Sequence, residues 1–355
     1  MMRTIVIQSR LSRVIPLFLL SLLLSVMFSS CYDAVVFRVN VFPTTPVNLG
    51  SINSAFDDMN SAYLPVLGET LPLYFSTNRR TGQDFDVIDK VLDVKMERSN
   101  GVLIVQENTT VRFGTGLTGR SNQQDLQAAL EHINSPVSDE LGPLILGHGQ
   151  RYYLTNNLGY DGYVVMFSSN REGKQDIYYT NNVETNFGAP QALSAANSFA
   201  DDAYPTLTQD TSRLYFCSNR EEQFDIFHYK LSQASWILTR LQSPPMSGVE
   251  KDTVLSSAFD DKCPFILGDI LVFTSNRPGG FGGYDLYFSR WQNGRWAAPQ
   301  NFGDCINTRY DEYRPVVKNF YGFQNAFMIF SSNRPGGKGG FDLYYVGIPP
   351  FQAPY

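Results

Sequence analysis

The chain has 355 residues, of which 43% are hydrophobic, 14% aromatic and 17% charged, and its formal net charge is −6. So apolar a composition excludes a disordered chain, because it can bury a sizeable core. The acidic balance argues against nucleic acid, which calls for a basic excess that releases counterions. The first element in the chain is a targeting segment. Arg3, Arg10 and Arg13 make a basic start, no acid occurs before Asp33, and residues 14–28 are apolar apart from Pro16, Ser21 and Ser25. That run is too short for the roughly 30 Å of hydrocarbon that takes about 20 residues to cross. Residues 1–30 therefore read as a signal peptide.

The peptide ends in Phe28-Ser29-Ser30-Cys31. Small residues directly before a cysteine resemble a bacterial lipoprotein signal, although Phe28 departs from the usual Leu or Val. The resemblance implies cleavage before Cys31 and a covalent lipid on it. More than one acyl chain is needed for stable anchoring, and the family's three would hold the protein at a membrane.

Beyond residue 31 the chain repeats itself. Five segments carry an apolar run, Ser/Thr-Asn-Arg, a variable turn, then Asp with an apolar-aromatic run. They centre on Asn78-Arg79, Asn170-Arg171, Asn219-Arg220, Asn276-Arg277 and Asn333-Arg334, followed by Asp86, Asp176, Asp225, Asp285 and Asp342. Each predicts a β-hairpin, since runs rich in Val, Ile, Tyr and Phe flank a turn of Asn, Gly and Pro. An acidic pair and a short apolar strand precede each hairpin: Asp57-Asp58, Asp139-Glu140, Asp201-Asp202, Asp260-Asp261 and Asp311-Glu312. A further short element follows some hairpins, at residues 187–193 and 296–302. Four strands per repeat is the content of a propeller blade.

The spacing from Asn78 to Asn170 is longer than a blade needs. Within it Leu126, Ala129, Leu130 and Ile133 fall on one helical face, with Ser121 as N-cap. The expectation is a helical insertion around residues 90–135 after blade one; the alternative is a sixth blade. Blade five stops near Val346 without its fourth strand, while residues 43–50 match the spacing of 296–303. Residues 35–49 would then complete blade five and close the ring, removing exposed sheet edges. The fold expected is thus all-β, a single five-bladed propeller over residues 31–349 with a short tail at 350–355.

The Ser-Asn-Arg…Asp-Ile/Leu-Tyr signature is similar to the TolB-type, WD40-like propeller repeat, in the version found in envelope lipoproteins of Bacteroidota. The resemblance covers nearly the whole chain after Cys31. It implies a lipid-anchored outer-membrane protein, facing the periplasm or the cell surface, whose partners are envelope proteins. The main expectation is therefore a non-enzymatic interaction subunit of an outer-membrane complex. The alternative is a surface protein that binds or hydrolyses glycans in the propeller funnel.

Candidate chemistry is sparse. Asp57, Asp58, Asp139, Glu140, Asp201, Asp202, Asp260, Asp261, Asp311 and Glu312 would form an acidic rim able to attract Ca²⁺, which takes six to eight oxygens, or a basic peptide. Acids repeated in every blade point more strongly to bonding with backbone N–H groups or the repeated arginines, so neither a cofactor nor a metal is expected. No irregular inward acid stands out for catalysis, and His132, His148 and His228 do not cluster. The Gly-rich runs at 279–283 and 336–340 read as hairpin turns with Phe281, Tyr284 and Phe341 as contact aromatics. Cys217, Cys263 and Cys305 allow at most one disulfide; Cys217 reads as a buried hydrophobe, and a Cys263–Cys305 pairing stays open.

Overall fold

In the computed structural model, residues 40–64, 68–97, 101–110, 122–152, 158–183 and 185–351 are described. Cys31, Ser121 and most of the tail lie outside them. The remainder forms five antiparallel sheets in sequence order, one per repeat. Blade one contains β2 (Asp58–Tyr63), β3 (Thr70–Thr77), β4 (Asp86–Met96) and β5 (Leu103–Glu107). Blade two contains β6 (Glu140–Tyr152), β7 (Leu158–Ser169), β8 (Asp176–Asn181) and β9 (Gln191–Ala192). Blade three contains β10 (Asp202–Leu207), β11 (Arg213–Glu221), β12 (Gln223–Lys230) and β13 (Glu250–Lys251).

Blade four contains β14 (Asp261–Leu267), β15 (Ile270–Ser275) and β16 (Asp285–Gln292), with β17 (Arg295–Trp296) and β18 (Gln300–Asn301) both paired to β16. Blade five contains β19 (Glu312–Lys318), β20 (Ala326–Ser332) and β21 (Asp342–Ile348). Its fourth strand is β1 (Val47–Asn48), paired to β21 through Val47↔Tyr345 and Asn48↔Tyr344. The five-bladed all-β expectation and the closing strand are both found.

The hairpins follow from their turns. In every blade the second and third strands meet at a Ser or Thr opposite the repeated Asp, from Thr77↔Asp86 to Ser332↔Asp342. The second strands carry most of the burial, as in β15 and β20, where every residue is buried. Helix α1 (Asn122–Ile133) sits in the seam between blades one and two. Its Leu126, Ala129 and Ile133 join Tyr74 and Val87 of blade one and Val165 and Phe167 of blade two. A second helix, α2 (Ile237–Gln242), buries Ile237 and Leu241 in the cluster shared by blades two and three. Blade one has its own fourth strand, so the helical connection begins only after Glu107.

Candidate functional site

The ten acids of the repeated pairs hold the ring together. The first acid of each pair accepts a backbone N–H from the preceding blade: Phe85 to Asp139, Gln175 to Asp201, Phe224 to Asp260, Tyr284 to Asp311 and Phe341 to Asp57, at 2.7–3.0 Å. The last of these joins blade five to blade one. The second acid is fully buried and pairs with the repeated arginine. Arg79 meets Asp58, Arg171 Glu140, Arg220 Asp202, Arg277 Asp261 and Arg334 Glu312, at 2.5–3.3 Å. Each arginine also stacks on an aromatic ring of its own second strand, as Arg220 does on Phe216 at 5.2 Å. Burial pushes the Glu140 and Glu312 carboxyls up, against hydrogen bonds and arginines that pull them down. At Asp260 burial also acts upward, but hydrogen bonds, first that from the Tyr284 hydroxyl, outweigh it and lower the carboxyl.

The Gly-rich turns have a packing role. A Cβ on Gly282 would lie 2.2 Å from the Tyr310 carbonyl, and one on Gly339 1.8 Å from that of Phe56. Glycine therefore lets each turn rest on the backbone of the next blade. Phe281 is exposed, Tyr284 bonds Asp260, and Phe341 donates its N–H to Asp57. Cys217, Cys263 and Cys305 are all free thiols; the first two are buried and Cys305 is exposed. Burial pushes the Cys263 thiol up to about 11. No group of three or more His, Cys, Asp or Glu among the described residues is placed to hold a metal.

What breaks the repeat lies two residues beyond each second acid. There the inner strand bulges by one residue in every blade. The bulge residue has a left-handed backbone throughout: Asn60 (φ 58°), Gly142 (56°), Tyr204 (57°), Cys263 (55°) and Arg314 (48°). The backbone is shared, yet no two side chains are alike. Tyr204 occupies the space beside Gly142, where an added Cβ would come within 2.4 Å of the ring. Arg314 reaches across to the Pro264 carbonyl of blade four at 3.0 Å and to the Tyr204 ring of blade three at 5.4 Å. No acid marks these positions; their sequence signal is that the five copies differ two residues past each acidic pair.

A second irregular feature is a cleft of about 370 Å³ between blades three and four, a size typical of small-ligand sites. It is lined by the turn from Thr208 to Arg213, by Ile266 and Gly268, and by Trp291 and Trp296. The two tryptophans face each other across a tight hairpin whose tip is Asn293-Gly294, both at positive φ, the pattern of a type I′ turn. Trp296 is buried and donates Nε1–H to the Tyr215 hydroxyl at 3.1 Å. Its ring meets Trp291 edge-on at 5.1 Å, while Trp291 stays 38% exposed. On the opposite wall Asp210 Oδ1 accepts from Thr208 Oγ1 and from the N–H and hydroxyl of Ser212. Burial acts upward on this carboxyl, but those hydrogen bonds prevail and lower it, so it is ionised at neutral pH. Arg240 of α2 pins the turn through the Asp210 and Thr211 carbonyls.

No protein-family model matches the chain, and no curated protein matches it. Solved structures do. The catalytic domain of a GH62 α-L-arabinofuranosidase from Coprinopsis cinerea covers 87% of this chain and 97% of its own, at 9% identity and a TM-score of 0.49. An exo-β-1,3-galactanase from Clostridium thermocellum covers 86% of this chain and 62% of its own, at 11% and 0.46. A protein assigned as TolB from Agrobacterium tumefaciens covers 88% and 100%, at 11% and 0.39. The two expectations, a non-enzymatic interaction subunit and a chain that is not an enzyme, find no support among these neighbours, two of which are glycoside hydrolases. A regular repeat reports only the frame on which the blades pack; a site resides in positions where the blades differ. At 9–11% identity the likeness concerns the fold alone and transfers no substrate.

Proposed function

We propose that this chain is a carbohydrate-binding propeller of the TolB-like repeat type, working at the cell envelope. The observation that carries the reading is the cleft between β10–β11 and β14–β17, which is lined by both Trp291 and ionised Asp210. A pyranose presents C–H groups on one face and hydroxyls on its edge. The first pack against an exposed indole, and the second need fixed acceptors and donors. The hydrogen bonds from Thr208 and Ser212 all use Oδ1 and orient the carboxylate, and Oδ2 is the acceptor this reading assigns to a sugar hydroxyl. Trp296, anchored on Tyr215, holds Trp291 in place with little side-chain entropy left to lose on binding.

A glycan array followed by calorimetry on the best ligand tests this. Trp291→Ala is expected to weaken binding by at least about 10-fold, as a central aromatic contact does, while leaving the unfolding transition nearly unchanged. Sugar release from the bound glycan, measured alongside, distinguishes binding from hydrolysis. Silence across the array, or unaltered affinity in Trp291→Ala, removes the reading.

The proposed envelope location rests on Cys31 and the basic-apolar segment before it. Metabolic labelling with an alkynyl fatty acid is expected to mark the protein, and Cys31→Ser to abolish the label and release the protein from membranes. A labelled Cys31→Ser variant would refute lipid attachment there.

A further inference from the structure

Arg314 is the largest fully buried side chain of the described residues. It differs from the five repeated arginines in having no carboxylate partner: they all form ion pairs, whereas no ion pair with Arg314 occurs among the described residues. Its neighbours are Tyr204, Tyr313, Cys217 and Cys263, all neutral at physiological pH because burial raises each of them. Of five N–H donors on a guanidinium, one goes to the Pro264 carbonyl, and Nε finds no hydrogen-bond partner among the described residues. The same layer holds a second orphan. Asn60, the equivalent residue of the adjoining blade one, is fully buried with both Oδ1 and Nδ2 unpartnered.

A buried charge without a counter-charge is among the most destabilising features a fold can contain. Here it is not a by-product of the repeat, since the other four bulge positions carry Asn, Gly, Tyr and Cys. The backbone at this layer is also firmly held, because bulge N–H groups bond to hydroxyls of the preceding blade: Asn60 to Ser331, Tyr204 to Ser168 and Arg314 to Thr274. Arg314 is thus presented on a rigid ring of five inner strands, with its planar fork aimed among uncharged groups. We propose that the bulge layer, where the five inner strands meet, is a binding site for a small carboxylate, held by the Arg314 guanidinium. One negative charge neutralises the single cation, and a planar carboxylate matches the fork of a guanidinium better than a spherical ion does. Asn60 Nδ2 supplies a further donor from the same layer. The inference is independent of the glycan cleft, which lies between blades three and four and uses none of these residues.

The test is thermal unfolding of the full chain in acetate, chloride and inorganic phosphate at matched ionic strength. In the wild type the midpoint is expected to rise with acetate concentration, as it does for any ligand of the folded state. Arg314→Met is expected to remove that rise and, in acetate-free buffer, to be at least as stable as the wild type, since the uncompensated charge is gone. Arg314→Lys keeps the charge and loses the fork, so its acetate response should need roughly 10-fold higher concentration; it serves as the test should the methionine variant fail to fold. A wild type without an acetate response overturns the site, as does an equal response in Arg314→Met or Arg314→Lys. Chloride or phosphate matching acetate in the wild type overturns the carboxylate assignment.

Discussion

Arg220→Ala is expected to destabilise the protein by about 3–5 kcal/mol, the usual loss when one member of a buried ion pair is removed. Asp202 is fully buried, and Arg220 Nη2 meets its Oδ1 at 2.5 Å while also bonding the Ala196 carbonyl at 2.7 Å. The guanidinium lies between the Phe216 and Phe227 rings, at 5.2 and 4.9 Å. Alanine would leave the carboxylate with only the Ser198 N–H and hydroxyl and would open space between two aromatic rings. The loss should appear in urea unfolding as a lower midpoint with unchanged slope. Asp202→Asn in the Arg220→Ala background should recover part of it, because the stranded charge is then gone. A change below about 1 kcal/mol would place the pair with exposed ion pairs and remove its role as the central fastener of the blade.

Phe42→Ala is expected to cost a similar ~3–5 kcal/mol, the range for emptying a buried aromatic position. Phe42 precedes β1 in the segment that closes the ring, and it is completely buried against blade five. Its ring stacks on Phe323 at 3.9 Å and contacts Phe327 at 4.8 Å and Phe320 at 5.7 Å. Its backbone exchanges two hydrogen bonds with the Asn325 side chain. Since β1 contributes only two ladder residues, this aromatic cluster adds an apolar anchor to the hydrogen bonds that close the ring. Limited proteolysis should therefore cut the segment before β1 sooner in Phe42→Ala than in the wild type. The exposed Phe281→Ala serves as a control expected to change stability by less than about 0.5 kcal/mol. Equal behaviour of the two variants would mean that ring closure does not depend on Phe42.

The blades were legible in the sequence because their signals are local. A Ser/Thr-Asn-Arg turn, an Asp in the next strand and alternating aromatics describe a hairpin without reference to the rest of the chain, and in all five blades that Asp pairs with the Ser or Thr before the turn. The helix was legible from the spacing of Leu126, Ala129 and Ile133. Its place was less so: β5 belongs to blade one although it falls in the interval that the repeats mark as an insertion, because the Asn-to-Asn distance counts residues and cannot say where pairing ends. The acidic pairs were visible as a pattern, but their two distinct duties were not. Only adjacent blades show that Asp201 serves Gln175 while Asp202 serves Arg220.

The sequence by itself determined the number of blades, the ring-closing strand and the acid-arginine frame, because each is written in residues that recur at short range. The tertiary structure alone decided where the blades differ to a purpose. Asn60, Gly142, Tyr204, Cys263 and Arg314 are far apart along the chain and share no residue type, so no recurring residue announces them. Their constant offset of two residues past each acidic pair is readable in the sequence, but they share one layer only because five bulged strands surround a common axis. Likewise Asp210 and Trp291 line one cleft only when blades three and four stand side by side. A repeat fixes what every unit must do to pack, whereas a binding site is made from what its neighbours bring to the same point in space.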